Sequence, residues 1–549
     1  MSDARGIADE YWKLYRENDQ FTALWEGELE YLERWQDLSE EGIAAYRAAL
    51  LDIASRAEAA RESADPADDI TLSTVSWHAR CAAATTEAGA ELEVHNPVVG
   101  VYSLLATFLS RYPLVTEDHG RRYLEKLRKL PLMLGEMIRA LERGRDKGWV
   151  PNDLHVQMMI DVLDHARSAD PAHDPLAGQP APREGEHPDW HEQVVGIVRD
   201  DIQPALRRYC DALETVALPV APSVDTPGLC HLDGGEDLYR RLVAGFTTTS
   251  IRPEEVHDRG LAQVARLDEE YRELGDSAFG TTDLPTIYSR LREDTSLHYH
   301  DVDTLIADAT EMFRRAQAEA PKWFRRTPES DCEVRPTTSG AMAFYSGPNP
   351  ETGKPAAFYF NVEDPSLWGP QLASTTFHEG IPGHHFDLAR SIENEELHLV
   401  HRKMYVAAFN EGWALYSERL SDEMGLFRTD IERLGMLAAD SLRACRLVVD
   451  TGMHLHGWSR DRAVQYMLDN SPLPRGEIEA EIDRYIGNPG QAVSYMIGRL
   501  EIEAARRHAE ETLGAKFDIA DFHEAVLGHG TVPLETMRRS VEAWVASVA

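Results

Sequence analysis

The segment STTFHEGIPGHHFD, residues 374 to 387, holds the residue types that metal-dependent hydrolysis requires. Neutral imidazoles can hold a divalent ion, an open coordination position admits water, and a nearby carboxylate can take that water's proton. His378, Glu379 and His384 supply these types. Their spacing differs from the familiar His-Glu-x-x-His, which sets its ligands about 40° and 6 Å apart on a regular helix. His384 lies six positions after His378, roughly 120° around and 9 Å along such a helix, too far to share one ion. His385 regains the face but lies about 10.5 Å along the axis. Pro382 cannot donate to the carbonyl of His378, and Gly383 accepts irregular backbone angles. A bulge is therefore expected over Gly380 to Gly383. If it loops out about two residues, it brings His384 close to the place of an i+4 ligand. The alternative is a helix that ends at Pro382, with the histidines as surface or capping residues.

A third ligand is offered by AAFNEGWALYSERL, residues 407 to 420. Glu411 lies 27 residues after His384 (411 − 384 = 27), enough chain for a turn and an antiparallel helix that returns to the metal. Glu418 shares a face with Glu411 and could accept a hydrogen bond from a ligand imidazole, or be an exposed helix carboxylate. A further helix is expected from about Asp430 through RACRLVVDTGMHLHGW, where Asp450 and His454 stand at i and i+4. Either could face the site as an orienter or transition-state donor, and a structural pair would look the same. In RYIGNPGQAVSYMIG, Tyr485, Gln491 and Tyr495 flank a Pro-Gly turn. A tyrosine hydroxyl there could donate to the oxyanion of a tetrahedral intermediate, or the ring could be packing.

The elements that must position these groups are mainly helical. Leu134, Met137, Ile138 and Leu141 recur at i, i+3, i+4, i+7, and Leu24, Trp25, Leu29 and Leu32 make a similar stripe. Proline-rich interruptions fall at Ser168 to Pro188 and Leu218 to Gly235. The second suggests a boundary between an N-terminal helical domain, 1–227, and a catalytic domain, 228–549. Between Cys332 and Val362 the texture changes: AMAFY and AAFYFNV are short apolar runs around the turn-like SGPNPETGKP. A small β-hairpin or sheet edge is expected next to the metal-binding helices, and the edge at Phe358 to Val362 could pair with an extended substrate.

Composition narrows the partners. A net charge of −38 over 549 residues repels phosphate backbones and anionic membranes, so neither nucleic acid nor membrane is an expected partner. With 43% hydrophobic residues an ordinary core can be buried. The N-terminal MSDARGIADEYWKLYREND lacks the basic-then-apolar order of a secretory signal. The five cysteines, Cys81, Cys210, Cys230, Cys332 and Cys445, show no CxxC spacing and read as reduced thiols. A cytoplasmic location is expected.

HEGIPGHH, NEGWALYSERL, RLVVDTGMHLHGW and RYIGNPGQAVSYMIG, in this order, resemble the signature blocks of the domain of unknown function 885 family, grouped with zincin-like metallopeptidases. GLCHLDGGEDLYRRLVAGFTTTSIRPEEVH, from Gly228, resembles an upstream block of that family. The resemblance implies that His378 and His384 are ligands, that His385 is not required, and that Glu411 in Asn-Glu-Gly-Trp-Ala is the third ligand. Asp387 stands where the family pattern has Gln. It also implies a mainly α, multi-helical zincin-like fold with a small sheet.

The resulting expectation is a zinc-dependent metallopeptidase for short peptides, with one ion per chain and manganese or cobalt as other candidate metals. Glu379 is its general base, and His454, Tyr485 or Tyr495 stabilises the oxyanion. Two alternatives are a metal-dependent hydrolase of a non-peptide amide or ester, and a catalytically silent metal-binding protein.

Overall fold

Several helix starts in this chain are set by local side-chain chemistry. The computed structural model describes residues 4–19, 28–97, 100, 109, 114–338, 341–349 and 353–549. Helix α1 spans Ala4–Asn18. Helix α2 (Glu40–Arg61) begins at Ser39, whose side chain accepts from the Gly42 amide. Helix α3 (Pro66–Glu91) begins at Asp65, which accepts from the amides of Ala67 and Asp68. Such caps satisfy amides that the first helical turn leaves without partners. Helices α4 (Glu117–Lys147), α5 (Asp153–Ser168) and α6 (Gln203–Ala212) follow.

Apolar packing forms two cores. The smaller gathers α4, α5 and α6, with Leu134, Met137 and Leu141 fully buried and Ile138 at its margin. Leu32 is buried there too and Leu29 packs against it; Leu24 and Trp25 lie outside the described residues. The larger core joins α1, α2 and α3 to the chain from Leu229 onward. Residues on both sides of the expected boundary at 227/228 thus share one core.

In the second half, helices α7 (Gly235–Thr247), α8 (Pro253–Phe279) and α9 (Val302–Glu319) lead into a three-stranded sheet. Its strands are β1 (Cys332–Thr337), β2 (Ala343–Ser346) and β3 (Ala356–Asn361). The order is β1-β3-β2, with β3 parallel to β1 and antiparallel to β2. This corrects the expected substrate edge at Phe358 to Val362. Strand β3 is central, its hydrogen-bonding groups are taken on both sides, and Phe358 and Phe360 are fully buried. The edge strand nearest the site is β2, which packs against the next helix.

That helix, α10 (Leu372–Glu379), carries the first candidate ligand. Helices α11 (Ala407–Glu423), α12 (Asp430–His454), α13 (Arg475–Gly487) and α14 (Ser494–Leu513) complete the surroundings of the site. Helix α11 crosses α14 with almost no space between backbones. A Cβ on Gly412 would come within 2.5 Å of Gly498 Cα, and one on Gly498 within 1.9 Å of the Ala408 carbonyl oxygen. Glycine at both positions permits the crossing and fixes the helix turn that bears Glu411. The chain is therefore mainly helical with a small sheet, and no helix among the described residues is long and apolar enough to cross a membrane.

Candidate metal centre

Helix α10 stops at Glu379, immediately after His378. Gly380 leaves helical geometry at φ −101°, ψ −118°, a turn follows, and helical structure resumes at His384, widening to a π turn over His385–Ala389. The Gly383 amide donates to the Phe377 carbonyl at 3.0 Å, a step of six residues (383 − 377 = 6) where a regular helix has four. Two residues are looped out, and the rings of His378 and His384 come to 5.0 Å between centroids. The loop closes only over glycine: a Cβ on Gly383 would lie 1.9 Å from the His378 carbonyl oxygen.

Glu411 meets both histidines. Its Oε2 lies 3.4 Å from His378 Nε2 and 3.5 Å from His384 Nε2. One donor atom from each of the three residues falls within 4.8 Å of the others. Donors about 2.0–2.2 Å from a tetrahedral ion stand roughly 3.3–3.6 Å apart, so both measured distances suit a shared ion. The donor set, two imidazoles and one carboxylate, fits a catalytic ion with an open position.

Each imidazole has a carboxylate behind it. His378 Nδ1 is 2.8 Å from Glu418 Oε1, and the other Glu418 oxygen accepts from the Ser374 hydroxyl. With the Nδ1 proton directed to Glu418, the Nε2 lone pair faces Glu411. His384 Nδ1 lies 3.7 Å from Asp387 Oδ1, within ion-pair reach, and neither atom has a hydrogen-bond partner among the described residues. The other Asp387 oxygen accepts from Asn410 Nδ2 at 2.7 Å. Asp387 thus supports a ligand.

The NEGW motif is read by its contacts. Asn410 anchors Asp387 and also accepts from the Val406 amide at the start of α11, at 2.8 Å. Glu411 faces the histidines, and Trp413 Nε1 donates to the Pro382 carbonyl at 2.9 Å, tying α11 to the loop. Tyr405 donates to the second Glu411 oxygen at 2.6 Å, which leaves Oε2 for the histidines. Tyr405 itself is 47% exposed. Sequence reasoning missed Tyr405, Asn410 and Trp413; the two motif residues flank Glu411 and could have been found there, whereas Tyr405 carries no spacing signal.

Electrostatics follow from this geometry. Burial alone would raise the Glu411 carboxyl, but its bonds to His378 and His384 hold it well below the usual range. Glu379 behaves oppositely: burial pushes its pKa up, against the pull of His378 and His384. Glu379 is half-buried and, among the described residues, its carboxylate has no hydrogen-bond or ion-pair partner. Glu379 is thus a carboxyl beside the cluster with its proton-exchanging atoms left unbonded among the described residues.

The other candidates are distributed unevenly. Tyr495 on α14 is half-buried and close enough to feel the Glu411 charge, and its pKa is pushed up to about 12, first by burial. His454 and Tyr485, expected as oxyanion donors, have their polar atoms bonded to other partners. His454 is fully buried, with Nδ1 accepting from the Leu229 amide at 3.2 Å and Nε2 bonded to the Tyr485 carbonyl at 3.0 Å. The Tyr485 hydroxyl, also fully buried, donates to Glu481 and accepts from Arg446. Asp450 bonds Tyr239 and the Gly490 amide, holding the turn before α14. Gln491 accepts from Arg484. His385 bonds Tyr345 and the Ser330 carbonyl rather than the cluster.

Comparison with known proteins adds family and fold. The family described as "Bacterial protein of unknown function (DUF885)" matches residues 22–541. Among solved structures, the "putative lipoprotein from Colwellia psychrerythraea" is similar over 100% of both chains, at 25% identity and TM-score 0.90. A "putative lipoprotein of unknown function from Shewanella oneidensis" is similar over 98% of each chain, at 19% identity and TM-score 0.74, a likeness of fold. No functionally curated protein matches.

Proposed function

Because the chain belongs to the DUF885 family of bacterial proteins, whose name carries no activity, we propose from its residues that it is a metal-dependent hydrolase of the zincin-like metallopeptidase type, acting on short peptides. The observation that carries this reading is the meeting of His378 Nε2 and His384 Nε2 at one Glu411 oxygen, with Glu379 unpartnered beside them. His378, His384 and Glu411 would hold the ion, with zinc the first candidate and manganese or cobalt possible replacements. Such an ion supplies Lewis acidity toward a carbonyl and toward water.

The protein's own groups do the rest. Glu379, its pKa raised by burial, accepts the proton of the attacking water and returns it to the leaving amine. Tyr405 holds Glu411 in orientation, and Tyr495 offers a phenol on the same side. Edge strand β2, with Tyr345 6.5 Å from the His384 ring, provides the strand along which an extended peptide can pair. A cytoplasmic setting belongs to this reading and is supported by five cysteines, none of them in a disulfide.

Two variants test the proposal together. Glu379→Gln is expected to keep fold and metal while losing at least about a hundredfold in peptide hydrolysis, the low end of general-base contributions. Glu411→Gln is expected to lose metal and activity together, because a neutral amide is a poor ligand. Full activity in metal-bound Glu379→Gln would end the mechanism.

A further inference from the structure

Helix α12 packs against α10, which carries His378 and Glu379, and bears two arginines that the hydrolytic chemistry above does not use. Arg443 and Arg446 lie three residues apart on α12, on one face. Arg446 is 6% exposed. It donates through Nε to Tyr485 at 2.7 Å and through Nη2 to Glu481 at 2.6 Å, and its guanidinium stacks 4.5 Å over the Tyr495 ring. Its Nη1 is buried with no hydrogen-bond partner. Arg443 reaches only the Ala439 carbonyl of its own helix, its Nε is buried without a partner, and it forms no ion pair with any described residue. Yet it is close enough to Glu379 for its charge to favour the ionised carboxylate.

Leaving guanidinium N–H groups buried and unbonded is costly. Glu481 is shared between Arg446 and Arg484. Glu477 is exposed, feels both Arg443 and Arg446, and pairs with neither. Three arginines therefore share two carboxylates, with Arg446 stacked on Tyr495 and Arg443 within electrostatic reach of Glu379. Guanidinium N–H groups in that position are suited to a carboxylate.

Resting on the hydrolase reading, we propose that Arg443 and Arg446 form a subsite for the free C-terminal carboxylate of a short peptide, so that cleavage occurs close to that end. Water adds across the scissile C–N bond: its hydroxyl goes to the acyl carbon and its proton, through Glu379, to the leaving amine. The released fragment keeps the carboxylate held by the arginines. Arg446, already fixed by Tyr485 and Glu481, positions Tyr495; Arg443, without a protein anion, carries most of the recognition.

Calorimetry on the full, metal-loaded chain tests this with a short N-acetylated alanine peptide, its C-terminal amide, and an amidated peptide bearing an internal Glu. The free acid is expected to bind about tenfold or more tighter than the amide, in keeping with a charge-assisted bond. Arg443→Gln should remove that preference while leaving the amide's affinity unchanged, and should raise KM for free-acid peptides more than it lowers kcat. Arg443 is the primary variant because it has no ion pair to lose; Arg446→Lys serves as a second, checked for fold by circular dichroism. Equal binding of acid and amide, or an acid preference that survives both variants, overturns the subsite. An amidated Glu peptide that binds as well as the free acid overturns the C-terminal reading in favour of an acidic side chain. Arginine-dependent acid binding without hydrolysis of any peptide supports the subsite and sinks the peptidase reading instead, so the two failures are distinguishable.

Discussion

His378 and His384 in the cluster and His454 at the end of α12 are all buried histidines within signature-like segments, yet they differ in what remains free. Each of the first two has one nitrogen turned toward a supporting carboxylate and the other toward Glu411. His454 has both nitrogens committed to backbone groups, and burial lowers its pKa to about 4, keeping it neutral. The same contrast separates Glu379, which no group among the described residues binds, from Asp450, which three hydrogen bonds hold. A side chain with a donor or acceptor left over is available to chemistry; one fully satisfied by its neighbours is architecture.

The largest effect that could break this comparison is a paired alanine substitution. His384→Ala is expected to abolish metal binding, since only two of the three ligands would remain. His454→Ala should leave metal affinity within about twofold and instead cost about 1–3 kcal/mol of stability, because the Leu229 amide loses its buried acceptor. Isothermal titration with zinc and chemical denaturation read the two quantities, and loss of metal from His454→Ala would erase the distinction.

A smaller effect grades the supports behind the ligands. Glu418→Gln and Asp387→Asn are each expected to weaken metal binding by about 10- to 100-fold. Glu418→Gln should be the more harmful, because its bond to His378 is 2.8 Å whereas Asp387 stands 3.7 Å from His384. Competition with a fluorescent chelator would reveal the order, and equal affinities would mean that the short bond does not govern ligand strength.

The blocks around His454 and Tyr485 are legible in the sequence, though their roles are not. The proline-glycine loop, its two looped-out residues and the return of Glu411 could be anticipated because they depend on helix geometry over short spans. The roles of His454, Tyr485 and Asp450 depend on partners far along the chain, Leu229, Arg446 and Tyr239, which no local spacing encodes. The same holds for β3, whose central place follows from a parallel pairing with β1 across the intervening β2. It holds also for the first three helices, whose apolar faces pack into the core of the second half.

The smallest expected effect concerns pH. Burial raises the Asp450 carboxyl to about 7, against the hydrogen bonds from Tyr239 and Gly490 and the charge of Arg484. Its folded pKa lies above the unfolded value of about 3.9, so the native state holds the proton more tightly. This group therefore contributes stability below about pH 4 that is progressively lost as pH rises toward 7. Asp450→Asn should flatten that part of the stability profile in urea titrations at successive pH values. An unchanged slope would show that Asp450 is ionised in the native protein.

Metal content by mass spectrometry, on protein purified without added metal and then dialysed against zinc, bears most directly on the shared-ion assignment. The wild-type chain is expected to retain about one ion, as a site with two histidines and one glutamate implies, and Glu411→Gln, folded by circular dichroism, should retain none. A wild-type chain that holds no zinc, manganese or cobalt, or a Glu411→Gln chain that holds as much as wild type, would contradict the assignment of His378, His384 and Glu411 as a metal centre.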